Sequence, residues 1–452
     1  MPGYGFPQEA VGPRTPDGRQ GLREREGRPA DRANGLRQGS ARSNDEGSRR
    51  GSSTREGHDR TRFGRDANGS SGNLLLLGAR GGGSGMGSRN ASSSNLAGLG
   101  DGSERGMSRV GSASTLQDLV GYKYQSLEEA LGSIRETAED QNGCRFLQKE
   151  LDKGGPEAIA KLLPEVLHDC EELMVDPFGN YFLQKLFDLC SEEQRNQLIR
   201  AVAPKMVTIA LNTHGTRAMQ KLVETLREPE QVQLVAESLA PGALLMIKDL
   251  NGNHVIQKSL QRMDEADKQF IYDTVCSNIL DVASHSRHGC CVLQRCLDHA
   301  SPAQKESLVE MLACHALDLA QDPFGNYVIQ YALAMGDESI SGRLLAALKG
   351  SLVELSLQKF SSNVVEKFLK PGDGITRQHR ETVVREIIQS PLLARLLNDN
   401  FGNYVMQSAL SVTAEEQPPL HAELVDALRP YLPLLRGCLH GRRIISKMNL
   451  KF

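Results

Sequence analysis

One six-residue phrase, Asn-Tyr-Phe-Leu-Gln-Lys at residues 180–185, returns in close variants along the chain, and this recurrence limits the fold more than any other property of the sequence. Pentads starting at Cys144, Asn180, Thr216, Asn253, Cys290, Asn326, Ser362 and Asn403 read CRFLQ, NYFLQ, TRAMQ, NHVIQ, CCVLQ, NYVIQ, SNVVE and NYVMQ, at intervals of 36, 36, 37, 37, 36, 36 and 41 residues. Such a period marks a helical solenoid, because each unit is too small to bury its own apolar face and must stack on its neighbours. The expected fold is all-α: a helical-repeat solenoid of eight units with a cap at each end.

At about 100° per residue, the first and fifth pentad positions lie about 40° apart on neighbouring turns, with the third and fourth on the opposite side. The third and fourth are apolar in every copy, from Phe146-Leu147 to Val405-Met406. They belong to the core, which leaves positions one, two and five on an accessible polar stripe. The residues that follow the pentads, Lys149, Lys185, Lys221, Lys258, Arg295, Tyr331, Lys367 and Ser408, edge that stripe and are basic in six of eight copies.

Residues 1–113 differ in kind. They are crowded with Gly, Ser and Arg and contain no Lys, a composition that cannot bury enough apolar surface to offset ordering entropy, so a disordered tail is expected. The net charge of −3 would argue weakly against a nucleic-acid partner. The charge is unevenly distributed, however: residues 1–110 carry about 18 Arg against about 12 Asp and Glu, so the repeat body is the acidic part, and a solenoid can show opposite signs on its two faces. Within the tail, residues 74–77 are four leucines that could dock a partner, and Ser92, Ser108 and Ser112 each follow an Arg by three positions, an arrangement suited to basic-directed kinases.

Nine cysteines without paired spacing fit a reducing compartment. Cys290, Cys291 and Cys296 lack a fourth ligand at matching spacing and are read as packing and surface residues, so neither a metal nor another cofactor is expected. No apolar run approaches the roughly 20 residues of a membrane span and no secretory segment opens the chain, which predicts a soluble, cytoplasmic protein. Helical pattern begins at Leu116, and residues 122–138 precede the first repeat as an N-terminal cap. Before the pentads, Asp176-Pro177-Phe178-Gly179, Asp322-Pro323-Phe324-Gly325 and Asp399-Asn400-Phe401-Gly402 combine a capping side chain with a Gly that marks either a turn or a tight helix contact. A second helix is expected in each unit, as over 194–206 and 304–319. A protruding loop is expected where Pro371, Gly372 and Gly374 lengthen the interval between repeats seven and eight, and a C-terminal cap where Gly441-Arg442-Arg443-Ile444-Ile445 takes the pentad's place.

With these motifs in phase, residues 114–452 resemble the Pumilio (PUF) family of RNA-binding proteins. The resemblance implies a right-handed, crescent-shaped solenoid that binds single-stranded RNA, one base per repeat, with positions one and five on the base edge and position two stacking between bases. The implied site comprises Cys144, Arg145 and Gln148; Asn180, Tyr181 and Gln184; Thr216, Arg217 and Gln220; Asn253, His254 and Gln257; Cys290, Cys291 and Gln294; Asn326, Tyr327 and Gln330; Ser362, Asn363 and Glu366; and Asn403, Tyr404 and Gln407. Asn with Gln suits the donor and acceptor edge of uracil, Cys with Gln resembles the family's adenine reader, and Glu366 can accept the two hydrogens that guanine alone presents. Two copies depart from the pattern: Thr216 stands where Cys or Ser is usual, and Cys291 where a planar stacking group is expected. Read antiparallel, repeats eight to one give 5′-UGUAUAUA, a UGUANAUA-like element.

The family resemblance further implies a messenger-RNA 3′ untranslated region as target, repression or decay as outcome, a co-repressor or deadenylase as protein partner, and a monomer on the RNA. The competing expectation is an armadillo- or HEAT-like scaffold for proteins. Repeated amides at fixed phase weigh against it, since a protein partner has no reason to present eight equivalent subsites. No nucleophile, base and orienter recur together, so an enzyme is not expected.

Overall fold

Three helices, rather than two, build each unit: a short helix, a recognition helix carrying the pentad, and an outer helix. Repeat two runs Cys170–Val175, Gly179–Leu189 and Glu192–Val202, and repeat six runs Ala316–Gln321, Gly325–Ala334 and Glu338–Leu348. The computed structural model describes residues 123–284 and 287–449, and no strand occurs among them. The expected tail, residues 74–77, Ser92, Ser108, Ser112 and the cap's beginning from Leu116 through Tyr122 lie outside the described residues.

The single helix expected over 194–206 breaks. Glu192–Val202 ends, a 3₁₀ turn at Ala203–Lys205 contains Pro204, and Met206–Leu211 starts afresh as the short helix of the next unit. Proline has no N–H to donate into the preceding turn, so the chain can change direction here. The stretch 304–319 breaks likewise at His315, between Pro302–Cys314 and Ala316–Gln321. Outer helices start on side-chain caps: Ser191 with Gln194 and Ser301 with Gln304 each form a reciprocal capping box.

Recognition helices pack in chain order, each on the next. Their third and fourth pentad residues, such as Phe182, Leu183, Val255, Ile256, Val405 and Met406, are fully buried; in repeat one Leu147 is buried and Phe146 only partly. The glycine before the pentad is there for close contact. A Cβ on Gly215 would lie 2.3 Å from the Ile209 carbonyl oxygen, and one on Gly289 would lie 2.1 Å from that of Val282, so the short helix and the recognition helix approach more closely than any side chain allows. The loop between repeats seven and eight is exposed over residues 370–373 and anchored at its end. Ile375 is buried, and Gly374, at φ +72, lies so near the repeat-six connection that a Cβ would meet the Gly336 carbonyl carbon at 2.6 Å.

Candidate nucleic-acid interface

Among the described residues, six recognition helices open on the same side-chain turn. Asp140, Asp176, Asn212, Asp249, Asp322 and Asp399 each accept two backbone N–H bonds from the residues two and three further on, as where Asp176 Oδ1 takes Phe178 N at 2.8 Å and Gly179 N at 2.7 Å. This satisfies otherwise unpaired donors and fixes the helix start, hence the pentad's phase.

In the four Asn repeats this turn is also what the first pentad residue grips. Asn180 Nδ2 donates to Asp176 O at 2.8 Å and Pro177 O at 3.0 Å, and its Oδ1 accepts from Gln184 Nε2 at 2.9 Å. Asn253 with Gln257, Asn326 with Gln330 and Asn403 with Gln407 repeat the arrangement, with Gln-to-Asn distances of 2.7, 2.9 and 2.8 Å. Each glutamine amide is therefore held in one orientation, with one N–H used inward and an N–H and Oε1 left outward.

The accessible stripe expected from helix geometry needs correction at position one. Its side chains are at most 7% exposed, from Asn403 at 0% to Ser362 at 7%, because the turn carbonyls and the glutamine close over them. Position five is half-buried, and position two carries the exposure: Arg145, Tyr181, Arg217, His254, Cys291, Tyr327 and Tyr404 are exposed, whereas Asn363 is half-buried and donates to Lys359 O at 3.2 Å.

Thr216 falls in with the two cysteines. Cys144 Sγ donates to Phe178 O at 3.2 Å, Cys290 Sγ to Phe324 O at 3.5 Å and Thr216 Oγ1 to Asn251 O at 2.9 Å, each the equivalent carbonyl in the next repeat's turn. Their glutamines again point inward, Gln148 Nε2 to Cys144 Sγ at 3.1 Å, Gln294 Nε2 to Cys290 Sγ at 3.8 Å and Gln220 Nε2 to Thr216 Oγ1 at 3.3 Å. Burial pushes the Cys290 thiol up to about 12 and raises that of Cys144, so both stay neutral donors. Desolvation, then the neighbouring His288 and Arg217, hold the exposed His254 ring below the usual imidazole range, which favours a neutral planar group.

Repeat seven stands apart. Ser362 Oγ donates to Lys359 O at 3.4 Å rather than meeting Glu366, whose Oε1 accepts from Ser408 Oγ at 2.6 Å and pairs with Lys370 Nζ at 3.0 Å. One carboxylate oxygen is thus anchored across the repeat boundary, and Oε2 remains. Sequence spacing alone gave no sign of the Ser408 contact, which spans 42 residues.

The row beside the pentads forms an inter-repeat ladder. Lys185 pairs with Asp152 at 2.6 Å, Lys221 with Asp188 at 3.1 Å and Lys258 with Glu224 at 2.5 Å, each acid belonging to the preceding recognition helix; Tyr331 continues the series by donating to Asp298. Cys290 and Cys296 are buried and Cys291 is exposed, and among the described residues no three His, Cys, Asp or Glu are placed to hold a metal ion. Nor is any helix among them long and apolar enough to cross a membrane.

Comparison with known proteins agrees with this geometry. A family model described as a NOP9-like PUF repeat domain matches residues 104–393, and one for the Pumilio-family RNA binding repeat matches residues 394–417. Pumilio homology domain family member 4 of Saccharomyces cerevisiae is 50% identical over 332 residues, 72% of this chain and 37% of the relative. Pumilio homolog 12 of Arabidopsis thaliana is 38% identical over 332 residues, 73% of this chain and 54% of the relative. The chain spans 31%, 41% and 37% of the length of three such curated relatives. Among solved structures, the Puf4 RNA binding domain bound to an HO endonuclease RNA 3′ UTR recognition sequence superposes with a TM-score of 0.63 at 42% identity, over 70% of this chain and 99% of that one. A Puf4 double mutant, one Thr changed to Cys and one Cys to Arg, bound to a Cox17 RNA 3′ UTR recognition sequence, gives 0.62 at 42% identity, over 71% and 99%.

Proposed function

The chain belongs to the Pumilio (PUF) family of RNA-binding repeat proteins, and from that premise we propose that it binds single-stranded messenger RNA at UGUANAUA-like elements in 3′ untranslated regions, one base per repeat, as a cytoplasmic repressor of translation or promoter of decay. The observation that carries the reading is the set of seven glutamines, from Gln148 to Gln407, each fixed by its own position-one side chain with an outward N–H and Oε1. A carboxamide so held offers one donor and one acceptor to a base edge, and the residue beneath it sets how deep that base sits. Asn fills the space and suits a pyrimidine, while Cys144, Cys290 and Thr216 leave room for adenine. Glu366 Oε2 then faces guanine at the second base, giving 5′-UGUAUAUA. Repression would follow from recruitment of a co-repressor or deadenylase by a monomer seated on the RNA.

Two residues adjust this reading. Puf4 was solved with the HO endonuclease element, and its Thr-to-Cys, Cys-to-Arg double mutant with the Cox17 element. This chain carries a threonine, Thr216, and a cysteine, Cys291, at the two places where its own pattern breaks. We assign them a part in choosing among related UGUA elements. Selection of bound RNAs from a random pool by the full chain tests the whole proposal: enrichment of UGUA followed by an A/U-rich half supports it, and recovery of structured or unrelated RNA, as a different target of the NOP9-like domain would give, overturns it.

A further inference from the structure

Helix Gly441–Lys447 repeats the geometry of a recognition helix beyond repeat eight. It packs on Gly402–Glu416 as each recognition helix packs on the next. Gly441 lies against the Leu435 carbonyl as the pentad glycines lie against theirs, Ile444 is buried at the third position, and Lys447 continues the inter-repeat ladder by donating to Ser411 Oγ. In that register Arg442 occupies position one, Arg443 position two and Ser446 position five. Both arginines are exposed, and among the described residues neither forms an ion pair or hydrogen bond through its guanidinium. Ser446 Oγ turns back onto Arg443 O at 2.8 Å, so no base-reading pair exists here.

We propose that this ninth helix binds the RNA just 5′ of the first recognised base without reading sequence: Arg443 stacks on the outer face of that base and Arg442 holds the phosphate that precedes it. If position-two side chains alternate with bases, eight bases leave nine places for a platform, seven between bases and one at each end, and Arg443 supplies the one on the far side of the uracil placed on Tyr404. A planar guanidinium stacks on any base and adds a cation–π attraction. Arg442 is exposed where position one is buried in every reading repeat, which places its charge at the backbone rather than under a base edge.

This inference rests on the antiparallel octamer reading. The test measures binding of the full-length chain to UGUAUAUA with a free 5′-hydroxyl, to the same octamer extended at its 5′ end by A, C, U or an abasic nucleotide, and to a scrambled octamer. The extension should tighten native binding about fourfold at physiological salt whatever its base, the abasic one included, as one released counterion predicts. Arg442→Gln should abolish that gain, so that the extended and unextended octamers bind the variant equally. Arg443→Ala should weaken the unextended octamer about fivefold or more, and Arg443→Lys, which keeps the charge but loses the plane, should not restore it. If UGUAUAUA does not outcompete the scrambled RNA, the octamer reading fails and takes this inference with it. If it does but the extension adds nothing, adds only for one base, or still adds in Arg442→Gln, the 5′ subsite alone is overturned.

Discussion

Ser361 Oγ donates a hydrogen bond of 2.7 Å to the Leu355 carbonyl oxygen, the carbonyl six residues back against which Gly179, Gly215, Gly325 and Gly402 lie in their own repeats. The closest approach between short and recognition helix thus has two solutions: no side chain, or a hydroxyl that turns the collision into a bond. Both carry a cost when exchanged.

Gly215→Ala places a Cβ 2.3 Å from Ile209 O with no hydrogen to offer, and should destabilise the fold by about 2–3 kcal/mol as overpacking does. Ser361→Gly loses one buried hydrogen bond and should cost about 1 kcal/mol. Chemical denaturation measures both, and equal small losses would show that the helices simply move apart.

Acidification should destabilise the repeat body before its carboxylates titrate. His254, His299, His379 and His421 are all lowered from 6.5, burial being the first cause in each. Between each lowered value and 6.5 the unfolded chain takes up protons that the folded chain refuses, so stability is full above 6.5 and falls as pH drops through that window. Thermal melts from pH 7.5 to 5.5 should show a falling Tm; a flat profile would mean these rings are more open to water than their packing shows.

Lys221 bridges repeats through Asp188 at 3.1 Å and is about a quarter exposed, so Lys221→Ala should cost only about 0.5 kcal/mol of stability. All RNAs should weaken equally. A changed base preference at one position would place Lys221 on a base edge instead of in the ladder.

Periodicity made the repeats legible because a solenoid writes its architecture once per unit, and the apolar third and fourth positions fixed which face is core. The aspartate turns and the start of each recognition helix were also readable, since their partners lie within three residues. What escaped the sequence was which partners meet between units: Asp152 for Lys185, Ser408 for Glu366 and the equivalent turn carbonyls that Cys144, Thr216 and Cys290 each bond lie 33 to 42 residues away. The burial of position one escaped for a related reason. Helix geometry gives the direction of a side chain but not the loop that folds over it.

The exposed Cys291 offers no plane between two bases, so Cys291→Arg should strengthen binding by about 1 kcal/mol without changing the base chosen. An RNA with one extra nucleotide at that point should be discriminated against less by the native chain than by the variant, because nothing in the native chain holds the bases in stack there. Unchanged affinity in competition binding would show that a neighbouring side chain already fills the gap.

Glu366 is the one acid among the position-five residues, and its Oε1 is already committed to Ser408 and Lys370. Guanine can still give its hydrogens to the carboxylate, but uracil would set carbonyl oxygens against it and leave acceptors unpaired at about 1–3 kcal/mol. Ser362→Asn with Glu366→Gln builds the pair found in repeats two, four, six and eight, and should move the second base from G to U by at least tenfold in relative affinity, with flanking positions unaffected. Repeat seven lacks the aspartate turn, since Gln358 stands in its place, so the new Asn must find its carbonyls on a different loop and the switch should be less complete than the native pairs achieve. Adding Gln358→Asp, which restores that turn, should sharpen it. Competition between UGUAUAUA and UUUAUAUA measures each step, and a triple variant that still prefers the first RNA would show that Glu366 serves only to join repeats seven and eight.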